Sequence, residues 1–225
     1  ADQLVHILDV QGIPGFFSPL DKVMLQNFKL FGSFLPSVSM PLVKKKMRHE
    51  TSNVVLPAEE EHLHKHLSDR YAQGIRMNVN FLGESLIGEK QALQRIESYK
   101  EALRNPNLEV LSVKISTLYS QISYLAREST IQIVSERMQS LFEVAGTEIF
   151  RGVSDREVGK MLYLDMEEYR DMSITYEAFV RALSVPGLQQ VRSGIALQTY
   201  IPDSFAFQQQ LVRWAMDRVA HGGSP

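Results

Sequence analysis

After Gly74, short apolar runs alternate with longer segments of helical spacing, and the alternation occurs four times. Each apolar run predicts a β-strand, and each segment that follows predicts an α-helix. The predicted strands are Ile75–Leu82, Leu108–Ser116, Met161–Met166 and Gly194–Ile201, and the helices are Gly88–Arg104, Ser129–Ala145, Ser173–Leu183 and one from Ser204 to Gly222. Strands that alternate with helices are typical of a parallel sheet. We therefore expect an α/β fold, a TIM-like βα-barrel of which residues 74–225 hold four βα units.

Glycine and serine residues set the predicted ends of these helices. Gly146 is expected to end the second helix, and Ser173 is expected to cap the third. Residues 1–73 have a different pattern, because five prolines divide them into short apolar pieces without strand alternation. We expect a helical N-terminal arm, whose last helix runs from Pro57 to Gly74.

Polar residues occupy alternate positions toward the C-terminal end of each predicted strand. They are Asn78, Asn80, Ser112, Lys114, Ser116, Tyr163, Asp165, Glu167, Gln198 and Tyr200. Alternate residues of a strand point to one face, so these side chains share a face while the intervening apolar residues pack under the helices. The inward face near the C-terminal strand ends is where the catalytic residues of βα-barrels lie. A structural ion pair of Lys114 with Asp165 is the alternative, but the same pattern on four strands favours a site.

Composition narrows the classes of function. The 225 residues carry 24 basic and 26 acidic side chains, a balance that argues against a nucleic-acid-binding surface. The absence of cysteine excludes disulfides, thiolate nucleophiles and Cys-ligated metals, and it suits a reducing, cytoplasmic compartment. His62 and His66 share a helix face without a third ligand, so no metal site is predicted.

Four strand-and-turn segments carry a family resemblance. They read NFLGESLIGE (Asn80–Glu89), LSVKIS (Leu111–Ser116), LDMEEYRDM (Leu164–Met172) and GIALQTYIPDS (Gly194–Ser204). In this order they resemble the strand motifs of proline dehydrogenases, including the proline dehydrogenase domain of bifunctional proline-utilisation proteins. The resemblance implies a distorted βα-barrel that holds FAD and oxidises L-proline to Δ1-pyrroline-5-carboxylate by hydride transfer to the flavin, which a membrane quinone then reoxidises.

The resemblance also implies roles for particular residues. Lys114 would lie beside both the flavin and the substrate, Asp165 near the proline nitrogen, and Gln198 at the flavin ring, with Tyr200 nearby. Asn80 and Glu84 join Lys114 and Asp165 as expected substrate contacts. Glu84 and Glu89 together are either paired site carboxylates or acids at a turn and a helix N-terminus, and the sequence leaves this open.

Physical chemistry supports three of these roles. A fixed ammonium such as Lys114 raises the electron affinity of a flavin that gains negative charge on reduction. A carboxylate such as Asp165, with Glu167 in reserve, can orient the neutral amine from which hydride leaves. Gln198 offers a donor and an acceptor that match the alternating carbonyl and N–H groups of the flavin edge.

A complete barrel has eight βα units in roughly 250 residues, so we expect this chain to be a piece of a longer enzyme and inactive alone. By resemblance, the other half supplies an arginine pair for the proline carboxylate, contacts to the FAD phosphates and an aromatic lid. An open sheet edge would favour self-association. An aldehyde dehydrogenase domain in the full-length protein is a further expectation. Two other hypotheses stay open, namely a Schiff-base lyase or aldolase that uses Lys114 and a non-catalytic assembly fragment.

A basic cluster follows the uncharged stretch Leu30–Val43. It consists of Lys44, Lys45, Lys46 and Arg48. Such a cluster can contact an anionic membrane, as a quinone-linked enzyme at the inner membrane requires, or it can be an ordinary solvated face. The uncharged stretch itself is too short and too interrupted by proline for a spanning helix, which needs about 20 apolar residues.

Overall fold

The structure is a computed structural model that describes residues 1–32, 34–51, 55, 60–82, 88–151 and 157–224. The chain divides into two units, Ala1–Leu63 and His64–Pro225. This division falls inside a helix, Glu60–Ala72, and the boundary that we expect after residue 73 stays a prediction. None of the helices in the described ranges is both long enough and apolar enough to cross a membrane.

The described part of the first unit is helical. Its helices are α1 (Asp2–Gln11), α2 (Pro19–Phe31) and α3 (Pro36–Thr51), and α4 (Glu60–Ala72) begins before the division and ends beyond it. Ser18 caps α2 by accepting a hydrogen bond from the Asp21 backbone N–H at 3.2 Å. Pro41 lies inside α3, so the division that we expected there is wrong. Gly74 follows the end of α4 with φ 76°, as predicted, whereas Pro57 lies outside the described residues.

Four parallel strands form the sheet of the second unit, in the order β1-β2-β5-β6. The strands of the chain are β1 (Asn78–Asn80), β2 (Val110–Lys114), β3 (Ile149–Arg151), β4 (Glu157–Gly159), β5 (Met161–Asp165) and β6 (Arg192–Ala196). The helices are α5 (Glu89–Arg104), α6 (Ile115–Leu118), α7 (Arg127–Thr147), α8 (Met172–Leu183) and α9 (Asp203–Ala220), with a 3-10 turn at Tyr169–Asp171. The predicted α/β fold with a parallel sheet is confirmed.

Helices α5, α7 and α8 pack on the sheet through one buried core. The predicted stripe of α7 is fully buried, and Leu111, Val113, Leu162 and Leu164 meet it from β2 and β5. The stripe comprises Ile131, Val134, Met138, Leu141 and Phe142. The residues between the polar positions of these two strands therefore pack under the helices as predicted, which leaves the polar face free for a site.

Two predicted strands end earlier than expected, and one pair of strands was not predicted. The chain turns from β2 directly into α6 after Lys114, so Ser116 is helical. β6 ends at Ala196, so Gln198 and Tyr200 follow the strand. The antiparallel pair of β3 and β4 is too short for its alternation to be recognised in the sequence.

Two helix ends also differ from prediction. Gly146 does not end α7, which continues to Thr147. A Cβ atom at Gly146 would lie 2.9 Å from a methyl carbon of Val191, so this glycine permits close packing instead of terminating the helix. Ser173 lies inside α8, whose N-cap is Asp171.

Candidate active site

The polar side chains of β1, β2 and β5 meet at the carboxyl edge of the sheet. Asn78 Nδ2 donates to Ser112 Oγ at 2.8 Å, and Asn80 Nδ2 donates to Asp165 Oδ2 at 3.1 Å. Ser112 Oγ in turn donates to Asp165 Oδ1 at 3.4 Å. Each oxygen of the Asp165 carboxylate thus accepts one hydrogen bond, and the four side chains connect three neighbouring strands.

The environment of Asp165 makes its carboxylate easier to protonate than an exposed aspartate. Burial is the main cause that raises the pKa of this carboxyl group above its ordinary value, and the charge of Glu167 acts in the same direction. The hydrogen bond from Ser112 and the charge of Lys114 act in the opposite direction without cancelling the effect. A carboxylate with a raised pKa is a stronger base than an exposed one, which suits a group that takes a proton.

Lys114 is the last residue of β2 and precedes the single helical turn α6. Thr117 Oγ1 donates to the Lys114 carbonyl at 2.7 Å, which fixes the backbone at this turn. The Lys114 ammonium lies 2.7 Å from Glu167 Oε1, and Ser116 Oγ donates to the other oxygen of the same carboxylate. Glu167 is the main cause that raises the pKa of Lys114, so the amine stays protonated at neutral pH.

Gln198 joins this group from the segment after β6. Its Nε2 donates to the backbone carbonyl of Glu167 at 2.8 Å. Its Oε1 is buried and has no hydrogen-bond partner among the residues that the structure describes. A buried acceptor without a donor is costly unless a ligand satisfies it, so this oxygen suits an N–H group of a bound molecule.

Four of the residues predicted for the site come together, namely Asn80, Lys114, Asp165 and Gln198. Asn80 donates to Asp165, which is the register partner of Lys114, and Lys114 and Gln198 both contact Glu167. Tyr200 follows β6 and is 79% exposed. Glu84 lies outside the described residues.

The ion-pair partner of Lys114 is not Asp165, the partner that the sequence suggested. Lys114 is the register partner of Asp165, yet it pairs with Glu167, the next residue on that face of the chain. A long lysine side chain leans along its strand and reaches beyond its register partner. The two carboxylates therefore have different surroundings, which the sequence does not show.

A second network that sequence reasoning missed lies beside the site. Arg137 of α7 donates to the Leu118 carbonyl at 2.6 Å through Nη1 and pairs with Glu89 through Nη2. Its guanidinium also lies 5.1 Å from the ring centroid of Tyr119. Ser120 Oγ donates to the second oxygen of Glu89 at 3.1 Å. The network ties the start of α5 to the segment after α6.

This network shows the surroundings of Glu89, whereas its relation to Glu84 stays a prediction because Glu84 lies outside the described residues. Arg137 is the main cause that lowers the pKa of Glu89, so Glu89 is an ionised partner of an arginine at a helix N-terminus. No local pattern marks Arg137, because it lies on the helix between members of the apolar stripe and its contacts are distant in sequence. Within the described ranges, no three histidine or carboxylate side chains form a metal-binding group.

A family model and solved structures point to the same protein family. The sequence model of the family described as Proline dehydrogenase matches residues 63–223. Proline utilization A (PutA) from Corynebacterium freiburgense is 28% identical with a TM-score of 0.70, and the match covers 94% of this chain and 20% of that chain. A comparison with curated proteins finds no match.

Two more distant structures share the fold. PutA from Bdellovibrio bacteriovorus, inactivated by N-propargylglycine, is 21% identical with a TM-score of 0.71, and the match covers 96% of this chain and 23% of that chain. A bifunctional proline utilization A protein is 19% identical with a TM-score of 0.61, and the match covers 83% of this chain and 20% of that chain. The chain therefore spans about one fifth of the length of these proteins.

Proposed function

Because the chain belongs to the proline dehydrogenase family, we propose that the complete protein oxidises L-proline to Δ1-pyrroline-5-carboxylate with FAD as its cofactor. The observation that carries the proposal is the meeting of an ammonium, a carboxylate and an unpaired amide oxygen at one edge of a parallel sheet. The carboxyl edge is where the active sites of βα-barrels form. The chain supplies four βα units of this barrel.

The residues present fit a flavin at this edge. The buried Oε1 of Gln198 can accept from the flavin N–H, and the Lys114 ammonium can stabilise negative charge on the ring. When bound, FAD supplies the acceptor of the hydride and its two electrons. Tyr200 is proposed as a further cofactor contact, because its exposed ring follows β6 close to Gln198 in the chain.

Asp165 is proposed to bind and deprotonate the substrate amine. Free proline is a secondary ammonium ion, and its nitrogen lone pair must be available before hydride leaves the adjacent ring carbon. Asp165 accepts the ammonium proton on a carboxylate oxygen, and the lone pair then forms the C=N bond of Δ1-pyrroline-5-carboxylate as hydride departs. Asn80 orients the carboxylate through its hydrogen bond. Glu84 is assigned to the substrate by its place in the matched motif alone.

The wider setting of the enzyme is proposed from its relatives. One related protein is described as bifunctional, and we propose an aldehyde dehydrogenase domain for the full-length protein. A membrane quinone is the proposed electron acceptor, with a cytoplasmic enzyme that contacts the inner membrane peripherally. The basic cluster of Lys44, Lys45, Lys46 and Arg48 is the candidate for that contact, since basic clusters bind anionic lipid surfaces. Lys46 of this cluster forms ion pairs with Asp21 and Glu50. Homo-oligomerisation is proposed as well.

The test uses the full-length protein. Anaerobic addition of L-proline should bleach the flavin band at about 450 nm, and the product should be Δ1-pyrroline-5-carboxylate. Lys114→Met should abolish or strongly slow the bleaching, whereas Lys65→Met, which removes a lysine that is 75% exposed, should not. A wild-type protein that binds FAD but shows no proline-dependent bleaching would contradict the proposal.

A further inference from the structure

We propose that Glu167 is a positioning residue that holds the Lys114 ammonium in place, an inference that rests on the role proposed for Lys114. Glu167 lies beyond the end of β5 and touches Lys114 through one carboxylate oxygen at 2.7 Å. The sequence places Glu167 in reserve for the substrate amine, but its two carboxylate oxygens contact Lys114 and Ser116. Its effect on the reaction therefore passes through the lysine.

Glu167 is itself fixed from two sides. Ser116 of α6 donates to the carboxylate oxygen that does not face the lysine. Gln198 donates to the backbone carbonyl of the same residue at 2.8 Å. A carboxylate whose second oxygen and backbone are both bound loses little further freedom when it holds an ammonium, so the pair keeps one geometry.

The two carboxylates of the site have different hydrogen-bond and ion-pair partners. Asp165 binds Asn80 and Ser112, while Glu167 binds Lys114 and Ser116. Because Glu167 takes the ammonium, the Asp165 carboxylate is left for the amine of the substrate. Among the described residues, the other carboxylate that acts on the lysine is its register partner Asp165, and an ion pair of Lys114 with Asp165 would weaken the role of Asp165 as a base.

The charged and titratable groups that act on the lysine are Glu167, Asp165 and Tyr99. Glu167 has the largest effect and keeps the amine protonated. Removal of the negative charge at position 167 should therefore increase the fraction of unprotonated amine. The reactivity of Lys114 toward an amine reagent measures this fraction, and it does not depend on proline turnover.

The experiment compares labelling of Lys114 by acetic anhydride across pH 7 to 10 in the full-length protein, with peptide mass spectrometry as the readout. It is run in an Asp165→Asn background, so that Asp165 cannot replace Glu167 as the ion-pair partner of the lysine. Adding Glu167→Gln should accelerate labelling several-fold at the alkaline end of the range. Glu168→Gln is the matched control, because Glu168 is the next residue and pairs with Arg170 at 2.7 Å. Equal labelling with and without Glu167→Gln would overturn the proposal.

Turnover supplies a second measurement in the otherwise unchanged enzyme. Glu167→Gln should lower kcat for proline oxidation more than it raises KM, since the ammonium leaves its position and can pair with Asp165, the proposed base. Glu167→Asp keeps the charge on a shorter side chain and should restore part of kcat. A change in KM alone would overturn the positioning role. If the wild-type enzyme does not oxidise proline, the proposed function fails while the labelling result still decides the role of Glu167.

Discussion

Tyr163 of β5 packs against Gly194, its register partner on β6, so closely that a Cβ atom at position 194 would lie 2.4 Å from a ring carbon. Real Cβ atoms do not approach a ring this closely, so any larger residue at position 194 must displace Tyr163. Tyr163 and Asp165 lie on the same face of β5, two residues apart. The glycine therefore controls how the ring sits beside the site.

Gly194→Ala should destabilise this part of the sheet by about 1–3 kcal/mol through overpacking. Hydrogen exchange of peptides that cover β5 and β6 in the full-length protein measures the effect locally. Gly159→Ala is the matched control, because the nearest atom to a Cβ there is an Arg192 carbon at an ordinary 3.7 Å. Adding Tyr163→Val should reverse most of the loss, and equal exchange in the two alanine variants would contradict the steric explanation.

Lys114→Met should lower the flavin reduction potential as well as turnover. An ammonium near the ring stabilises the reduced, more negative form, and its removal by an apolar residue of similar length withdraws that stabilisation. A loss on the order of 30–60 mV is expected, since about 30 mV corresponds to 1.4 kcal/mol for a two-electron couple. Lys65→Met should leave the potential unchanged. A normal potential in Lys114→Met would exclude an electrostatic role for the lysine.

Borohydride trapping on the unchanged Lys114 separates the flavin enzyme from the Schiff-base alternative. A Schiff-base lysine reacts as the neutral amine and is usually activated by a lowered pKa. Glu167 instead raises the pKa of Lys114, which favours a permanent charge over a nucleophile. Borohydride should therefore fail to trap a carbonyl substrate on Lys114.

Asp165→Asn should remove the acid limb of the pH profile of kcat/KM. The base must be ionised to accept a proton, so activity falls as the pH drops through the pKa of Asp165. Burial raises this pKa, and the limb should therefore lie at higher pH than that of an exposed aspartate. General-base loss typically costs about 10²–10⁴-fold in rate. Asp217→Asn, on an exposed part of α9, is the control, and an unchanged acid limb in Asp165→Asn would assign it to another group.

The sequence predicts the shared edge of the site because strand periodicity and parallel pairing determine it. Lys114 and Asp165 each lie at a polar position at the C-terminal end of a strand. Parallel pairing places the C-terminal ends of the two strands side by side, so the two residues lie at the same edge of the sheet. The buried stripe of α7 was predictable for a similar reason, since helical spacing alone places Ile131 and Met138 on one face.

Other features depend on contacts between distant residues, which no local pattern records. Gly146 resembles a helix end in the sequence, but its function is to let α7 approach Val191. The choice of Glu167 as the partner of Lys114 depends on side-chain reach and on Ser116, which lies in a helical turn that the strand prediction did not include. Arg137 binds Glu89 across 48 positions of the chain.

Arg137→Met should loosen the segment that follows Lys114. The substitution leaves the carbonyl of the buried Leu118 without its arginine donor, at a cost of about 1–3 kcal/mol. It also leaves the partly exposed Glu89 carboxylate with its hydrogen bond from Ser120 alone. Amides of α6 and of the first turn of α5 should exchange faster, whereas the core of α7 should be unchanged. Arg127→Met on the same helix removes a pair with Glu177 and should not affect α6. If the amides of α6 exchange as slowly in Arg137→Met as in the wild type, Arg137 does not hold this segment.

The free energy of unfolding of the second unit should increase at alkaline pH because of the buried Lys160. Its ammonium is buried and lies against the carbonyls of Leu108, at 2.5 Å, and of Asn105. Burial lowers the pKa of Lys160 from 10.5 to about 8, so above that pH the folded chain releases a proton that the unfolded chain still holds. Stability should therefore rise with pH between about 8 and 10.5 and stay level below about 8. The neutral amine keeps two N–H donors for the two carbonyls, so the hydrogen bonds survive deprotonation.

Hydrogen exchange of β2 and β5, compared between wild type and Lys160→Met at each pH, should show the wild type gaining protection relative to the variant only above about pH 8. Lys65→Met controls for the loss of one positive charge, and a wild-type advantage that is constant across this range would contradict a buried neutral lysine.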